Sequence, residues 1–100
     1  MVILSEIISA IKSRRKIEID YKGEGPRLIC PHACYVSSKG KTLVDSYQIA
    51  GYSNHREQVP GWRPFDLSEI SSLRIMEETF EEAPGYNPLS DRYSNALAML

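Results

Sequence analysis

In Ser13-Arg14-Arg15-Lys16-Ile17-Glu18-Ile19-Asp20-Tyr21-Lys22 the spacing of apolar residues changes from a helical period to a period of two. Upstream, Ile3, Leu4, Ile7, Ile8 and Ile11 share one face at helical spacing while Glu6 and Lys12 point elsewhere, so residues 2–15 read as an amphipathic helix. Arg14, Arg15 and Lys16 stand at its C-terminal end and oppose the negative pole of the helix dipole, which accounts for them without a function. From Lys16 onward, Ile17, Ile19 and Tyr21 alternate with charges, as in a strand with one buried face.

Downstream the pattern stays short and turn-bounded. Gly23-Glu24-Gly25-Pro26 is a turn, and Arg27 to Val36 reads as a strand that Pro31 interrupts. Proline cannot donate to a ladder, so it belongs at an edge, a strand end or a bulge. Ser37 to Gly40 turns the chain into a strand over 41–49, with Leu43, Asp45, Tyr47 and Ile49 on one side. An aspartate in that row predicts polar groups or water near Asp45. Residues 51–61 form a long loop, of a length that is usually functional or mobile. Residues 62–67 are extended, Ser68-Glu69-Ile70 is a helical turn started by Ser68 or Asp66, and 71–77 is a closing strand. The expected class is α+β, dominated by antiparallel sheet, and strands this short in so small a chain are expected to curl into a barrel.

Residues 1–80 read as the barrel domain with its N-terminal helix, and 81–100 as a separate tail. In the tail, Asn87-Pro88 suits a helix N-cap followed by proline at the first helical position. Leu89, Tyr93, Ala96, Leu97 and Leu100 would then share a face. Such a C-terminal amphipathic helix must dock on its own barrel or on another copy, which makes a homodimer one expectation.

One hundred residues make one domain, and 42% apolar with 25% charged residues sits at globular averages, which excludes a disordered chain. No apolar run approaches the ~20 residues of a membrane span. The start lacks a basic lead-in and takes an acid at Glu6, so the expectation is a cytoplasmic protein with no membrane partner. Cys30 and Cys34 are too few for a disulfide scaffold. The net charge of −1 hides a split: residues 1–63 hold ten Lys/Arg against six Asp/Glu, and 64–100 hold two against seven. Such asymmetry suits a surface for anionic partners, and also arises when solvated faces sum unevenly.

Three stretches carry a resemblance: Ala10 to Tyr21, ending in Ile-Asp-Tyr; Arg27-Leu28-Ile29-Cys30-Pro31 followed by His32-Ala33; and Arg63-Pro64-Phe65-Asp66-Leu67-Ser68-Glu69-Ile70. In this order the chain resembles the WYL domain, a small Sm-like barrel found mostly in bacterial transcriptional regulators, over about residues 7–77. The tripeptide that names the family falls near Thr42-Leu43-Val44, where neither tryptophan nor tyrosine stands, although Tyr47 lies just downstream. The family's usual N-terminal winged helix has no counterpart in these residues. The resemblance therefore implies a sensor module that binds nucleic acid or a nucleotide-like anionic ligand and acts in transcriptional regulation with a separate regulator chain.

The candidate binding residues are Arg27, His32, Tyr47 and Arg63. The resemblance puts the two arginines at positions used for anionic ligands. A guanidinium offers a planar fork of donors that suits phosphate oxygens, and tyrosine or histidine can stack on a base. The alternatives are ion pairs of the arginines with Glu18, Asp20 or Asp45 across the sheet, and a hydrogen-bonded strand-end role for His32. Trp62 is either a core plug or a stacking platform.

Neither a metal site nor catalysis is indicated. Cys30, His32 and Cys34 share a side of an extended strand, but ~3.3 Å per residue separates the two thiols by about 13 Å, too far for one zinc ion. Cys34, His55 and Asp45 supply the residue types of a nucleophilic set, yet nothing local activates them. No cofactor is expected. The competing function is a protein-interaction or oligomerisation domain without a nucleic-acid ligand, with its working surface a sheet edge or the C-terminal helix along Leu89, Tyr93 and Leu97.

Overall fold

A computed structural model of the chain describes residues 2–53 and 58–100. It shows an α+β architecture with one N-terminal helix and a six-stranded antiparallel sheet. Helix α1 spans Ile3–Ser13, followed by β1 (Arg15–Tyr21), β2 (Pro26–Val36), β3 (Thr42–Gly51), β4 (Gly61–Asp66), β5 (Ile70–Thr79) and β6 (Ala98–Met99). The order β4-β3-β2-β1-β5 leaves β4 and β5 at the two ends without pairing to each other, so the sheet is not closed. No helix among the described residues is long and apolar enough to cross a membrane.

The helix stops two residues before the sequence suggests. Arg14 takes the left-handed conformation (φ 53°, ψ 42°), its N–H reaches the Ala10 and Ile11 carbonyls, and Arg15 already belongs to β1. Ile7, Ala10 and Ile11 are buried and Ile3 packs beside them, whereas Leu4 is exposed. This face lies on Ile17, Ile19, Ile29, Leu73 and Phe65, which form the core with it. The alternation in β1 holds: Ile17, Ile19 and Tyr21 are buried and the residues between them less so. The turn before β5 is a 3-10 helix over Leu67–Glu69, capped by Asp66, whose side chain accepts from the Ser68 N–H.

Pro31 marks a bulge. Pro31 pairs with Ser46 and Ala33 with Asp45, so His32 is an extra residue in β2. β3 occupies one edge of β2 along its length, while the other edge is shared: β1 pairs with residues 26–29 and β6 with Ala33 and Cys34. The tail is thus part of the sheet, and it is not helical. Its only helical turn is a 3-10 segment, Asp91–Tyr93, and Asn87 caps Leu89 instead of starting a helix. A peptide of this length, rich in Ser, Asn, Asp and Tyr, is a poor isolated helix. The β2 edge offers better partners, with the Leu97 N–H donating to the Cys34 carbonyl at 2.8 Å and that of Leu100 to the His32 carbonyl at 2.9 Å. The expected apolar stripe does not form either. Leu89 and Leu97 are exposed, but Tyr93 turns inward to Asp45.

His32 fastens the tail. The ring is fully buried, its Nδ1 lies 2.8 Å from the Cys30 carbonyl, and its Nε2 accepts from the Ala83 N–H at 2.9 Å. That pair fixes a neutral ring protonated at Nδ1. Burial pulls its pKa below 6.5, against opposing effects of the Cys30 carbonyl and Glu82, with Arg14 lowering it further. Because the folded value is depressed, the unfolded chain takes up a proton first. The associated stability is full above about pH 6.5 and is lost as pH falls through the lowered native value. Urea unfolding at pH 7.5 and 5.5 is expected to show a larger loss for the wild type than for His32→Gln. Equal losses would contradict the buried neutral ring.

Candidate functional site

β2, β3 and β4 bring Arg27 and Arg63 to one cavity of about 350 Å³. Lys22 also lines it, Glu24 is the one acid among its described lining residues, and Tyr21, Tyr52 and Phe65 supply aromatic surface. Among the described residues, three cations face one carboxylate. These residues combine a positive balance with flat apolar walls, which suits a phosphate attached to a planar ring.

Arg27 is held firmly. It is buried, with Nη1 on Gln48 Oε1 at 3.4 Å and Nη2 on Glu24 Oε1 at 3.2 Å. Its guanidinium carbon lies 5.3 Å from the Tyr21 ring centre, 5.2 Å from Tyr52 and 5.5 Å from Phe65, so three rings offer it their electron-rich faces. Gln48 is itself fixed, because its Nε2 donates to the Ala50 and Tyr52 carbonyls. Among the described residues Arg27 pairs with Glu24 rather than Glu18, Asp20 or Asp45; Glu18 pairs with Arg74 and Asp45 with Arg92. Arg63 donates to the backbone carbonyls of Trp62 (3.2 Å) and Gln58 (2.5 Å), which sets its guanidinium between this cavity and the tail.

Tyr47 and His32 lie elsewhere. Tyr47 packs edge-on to Trp62 at 5.5 Å, and His32 sits among Trp62, Phe80 and Tyr86 at 4.7–5.1 Å. Of the four sequence candidates the structure joins the two arginines and gives His32 the hydrogen-bonded role. Lys22, Tyr52 and Gln48 complete the site. Tyr52 remains partly exposed over Arg27 and takes the stacking position expected of Tyr47. Trp62 is half-buried, its Nε1 donating to the Pro84 carbonyl at 2.7 Å.

On the far side of Arg63, the aspartate in the β3 row meets the polar groups it implied. Asp45 is buried and accepts from Tyr35 Oη at 2.9 Å, Tyr93 Oη at 2.5 Å and Arg92 Nη1 at 3.1 Å. Burial first, and then the bond to this carboxylate, pushes the Tyr35 hydroxyl up to about 12 and raises that of Tyr93. Burial also raises both thiols, Cys34 to about 11, so neither is an activated nucleophile near neutral pH. His55, the histidine of the nucleophilic set, lies outside the described residues. No group of three His, Cys, Asp or Glu gathers for a metal among the described residues. No known protein-family model matches the chain, and no curated protein matches it.

Gly51 makes the Arg27 site possible. It pairs with Arg27 at φ +97°, and a Cβ there would lie 2.3 Å from the Pro26 carbonyl oxygen and 2.7 Å from Arg27 Cα. The close crossing also lets the Tyr52 N–H reach the Pro26 carbonyl at 2.9 Å. Gly51→Ala is expected to cost roughly 2–4 kcal/mol in urea unfolding, from strain and backbone collision together. A cost within a few tenths of a kcal/mol would contradict the crossing.

Proposed function

We propose that this protein is a non-catalytic binding module for a nucleotide-like anion or a short nucleic-acid segment. The observation that supports this most is the shared cavity of Arg27, Arg63 and Lys22, walled by Tyr21, Tyr52 and Phe65. A phosphate would meet the guanidinium and ammonium groups while a base stacks on Tyr52. In this reading the chain is a divergent member of the WYL group, its open sheet a variant of that family's small Sm-like barrel. It works in the cytoplasm, in transcriptional regulation, together with a partner that contacts DNA. The raised thiol pKa values favour binding over cysteine chemistry. Of the two surfaces that the competing interaction-domain reading uses, a sheet edge and a helical stripe, the stripe does not form in the tail.

Titration of the purified protein with short single-stranded DNA, RNA and a nucleotide panel, at low and moderate salt, tests the proposal. Saturable binding that weakens with salt is expected, with affinity falling about tenfold or more in Lys22→Ala/Arg63→Ala. Arg27→Lys, which keeps the buried charge but loses the fork, is expected to weaken binding while the protein stays folded. Absence of binding to every probe, or binding indifferent to these residues, would overturn the proposal.

A further inference from the structure

A second cavity, of about 330 Å³, lies between the tail and the β3–β4 pair. It is separate in chemistry from the Arg27 cavity and meets it only at Arg63 and Pro64, which line both. Its size falls at the lower end of small-molecule sites, ~300–1,000 Å³.

Three aromatic rings wall it. Trp62 comes from β4, and Tyr86 and Tyr93 from the tail. The Trp62 and Tyr86 rings are nearly parallel, 21° apart in plane at 6.2 Å, and Tyr93 follows Tyr86 at 6.1 Å. Gly85 lets the tail lie against the indole. Its φ is +88°, and a Cβ would stand 3.3 Å from Trp62 Nε1. The indole N–H is already spent on Pro84, so what the Trp62 ring offers a ligand is its apolar surface.

The charges decide what kind of ring would bind. Asp45 is the one acid among the described lining residues, and both of its oxygens are taken: Oδ1 by Tyr35, Oδ2 by Arg92 and Tyr93. A cationic ligand would therefore find the Asp45 carboxylate already saturated. Arg92 gives Asp45 its Nη1, and its side chain remains 57% exposed at the cavity. A guanidinium so placed can hold a carboxylate while the attached ring lies on aromatic surface.

We infer that this cavity is a second binding site, for a small planar aromatic anion of the arylcarboxylate class. The ring stacks among Trp62, Tyr86 and Tyr93, and the carboxylate pairs with Arg92. Because half the wall is tail, an occupant ties residues 85–93 to β4.

Trp62 is the chain's only tryptophan, so its indole N–H gives one assignable signal in a ¹H–¹⁵N spectrum. The uniformly labelled protein is titrated with phenylacetate, cyclohexylacetate and benzylamine, each to about 10 mM, above the Kd of roughly 1 mM that so small a ligand can reach. Phenylacetate is expected to shift the indole signal saturably and to show NOEs to the Tyr86 and Tyr93 rings. Cyclohexylacetate should bind about fivefold more weakly, the share that ring stacking supplies. Benzylamine should not saturate. Ser90→Phe, which fills the cavity from the tail, should abolish the phenylacetate shift. If that variant does not fold, the NOEs in the wild-type protein decide the question alone. No saturable shift with phenylacetate, saturation by benzylamine at equal affinity, or NOEs that omit both tyrosines would overturn the inference.

Discussion

Because Pro31 has no N–H to give, the ladder of β2 is broken midway, and the residue that takes up the slack is His32. The bulge divides the outer edge of β2 between two partners. Its first half goes to β1, which carries the core alternation, and its second half is left for a strand from elsewhere. The tail supplies that strand. The bulge also turns the imidazole toward the tail, where it accepts the Ala83 N–H, so a single irregularity opens the slot and holds what fills it. Burying a neutral, fully bonded histidine here is far less costly than burying a charged one.

The two cavities follow from how the strands end. At the far end of β3, Gly51 crosses Pro26 and Arg27 closely enough for Gln48 and Tyr52 to hold the Arg27 guanidinium among rings. On the opposite side of β4, the tail lies over Trp62 and completes the wall around Asp45. Arg63 stands between them, anchored to backbone carbonyls. The basic half of the charge split thus contributes to the Arg27 cavity. The acidic half, residues 64–100, includes the tail, and Arg92 is one of the two cations of that half.

Much of the fold is legible in the residues. The period change at Lys16, the turns at Gly23 and Ser37, and the Asp66 cap all mark local chemistry that tertiary contacts leave in place. The proline in β2 announces an irregularity, but not that a residue 51 positions later would bond to the histidine beside it. The tail misleads for the same reason. Asn87-Pro88 and the spaced leucines fit a helix locally, while the open β2 edge that recruits β6 exists only once the sheet has formed. In the site, Arg27 and Arg63 stand out as cations. Tyr52 and Gln48 do not, because their approach to Arg27 depends on a register that shifts between Leu28 and Ile29. Tyr47, one residue from Gln48, consequently faces Trp62 on the other side of the sheet.

The most direct test of this account is native-state hydrogen exchange at the Ala83, Leu97 and Leu100 amides. If the bulge makes the tail part of the sheet, these three amides exchange through the same global opening as Ile17 and Ile29 in the core. Exchange at rates near those of an unstructured peptide, with β1 and β2 still protected, would contradict it and reduce the tail to an appendage.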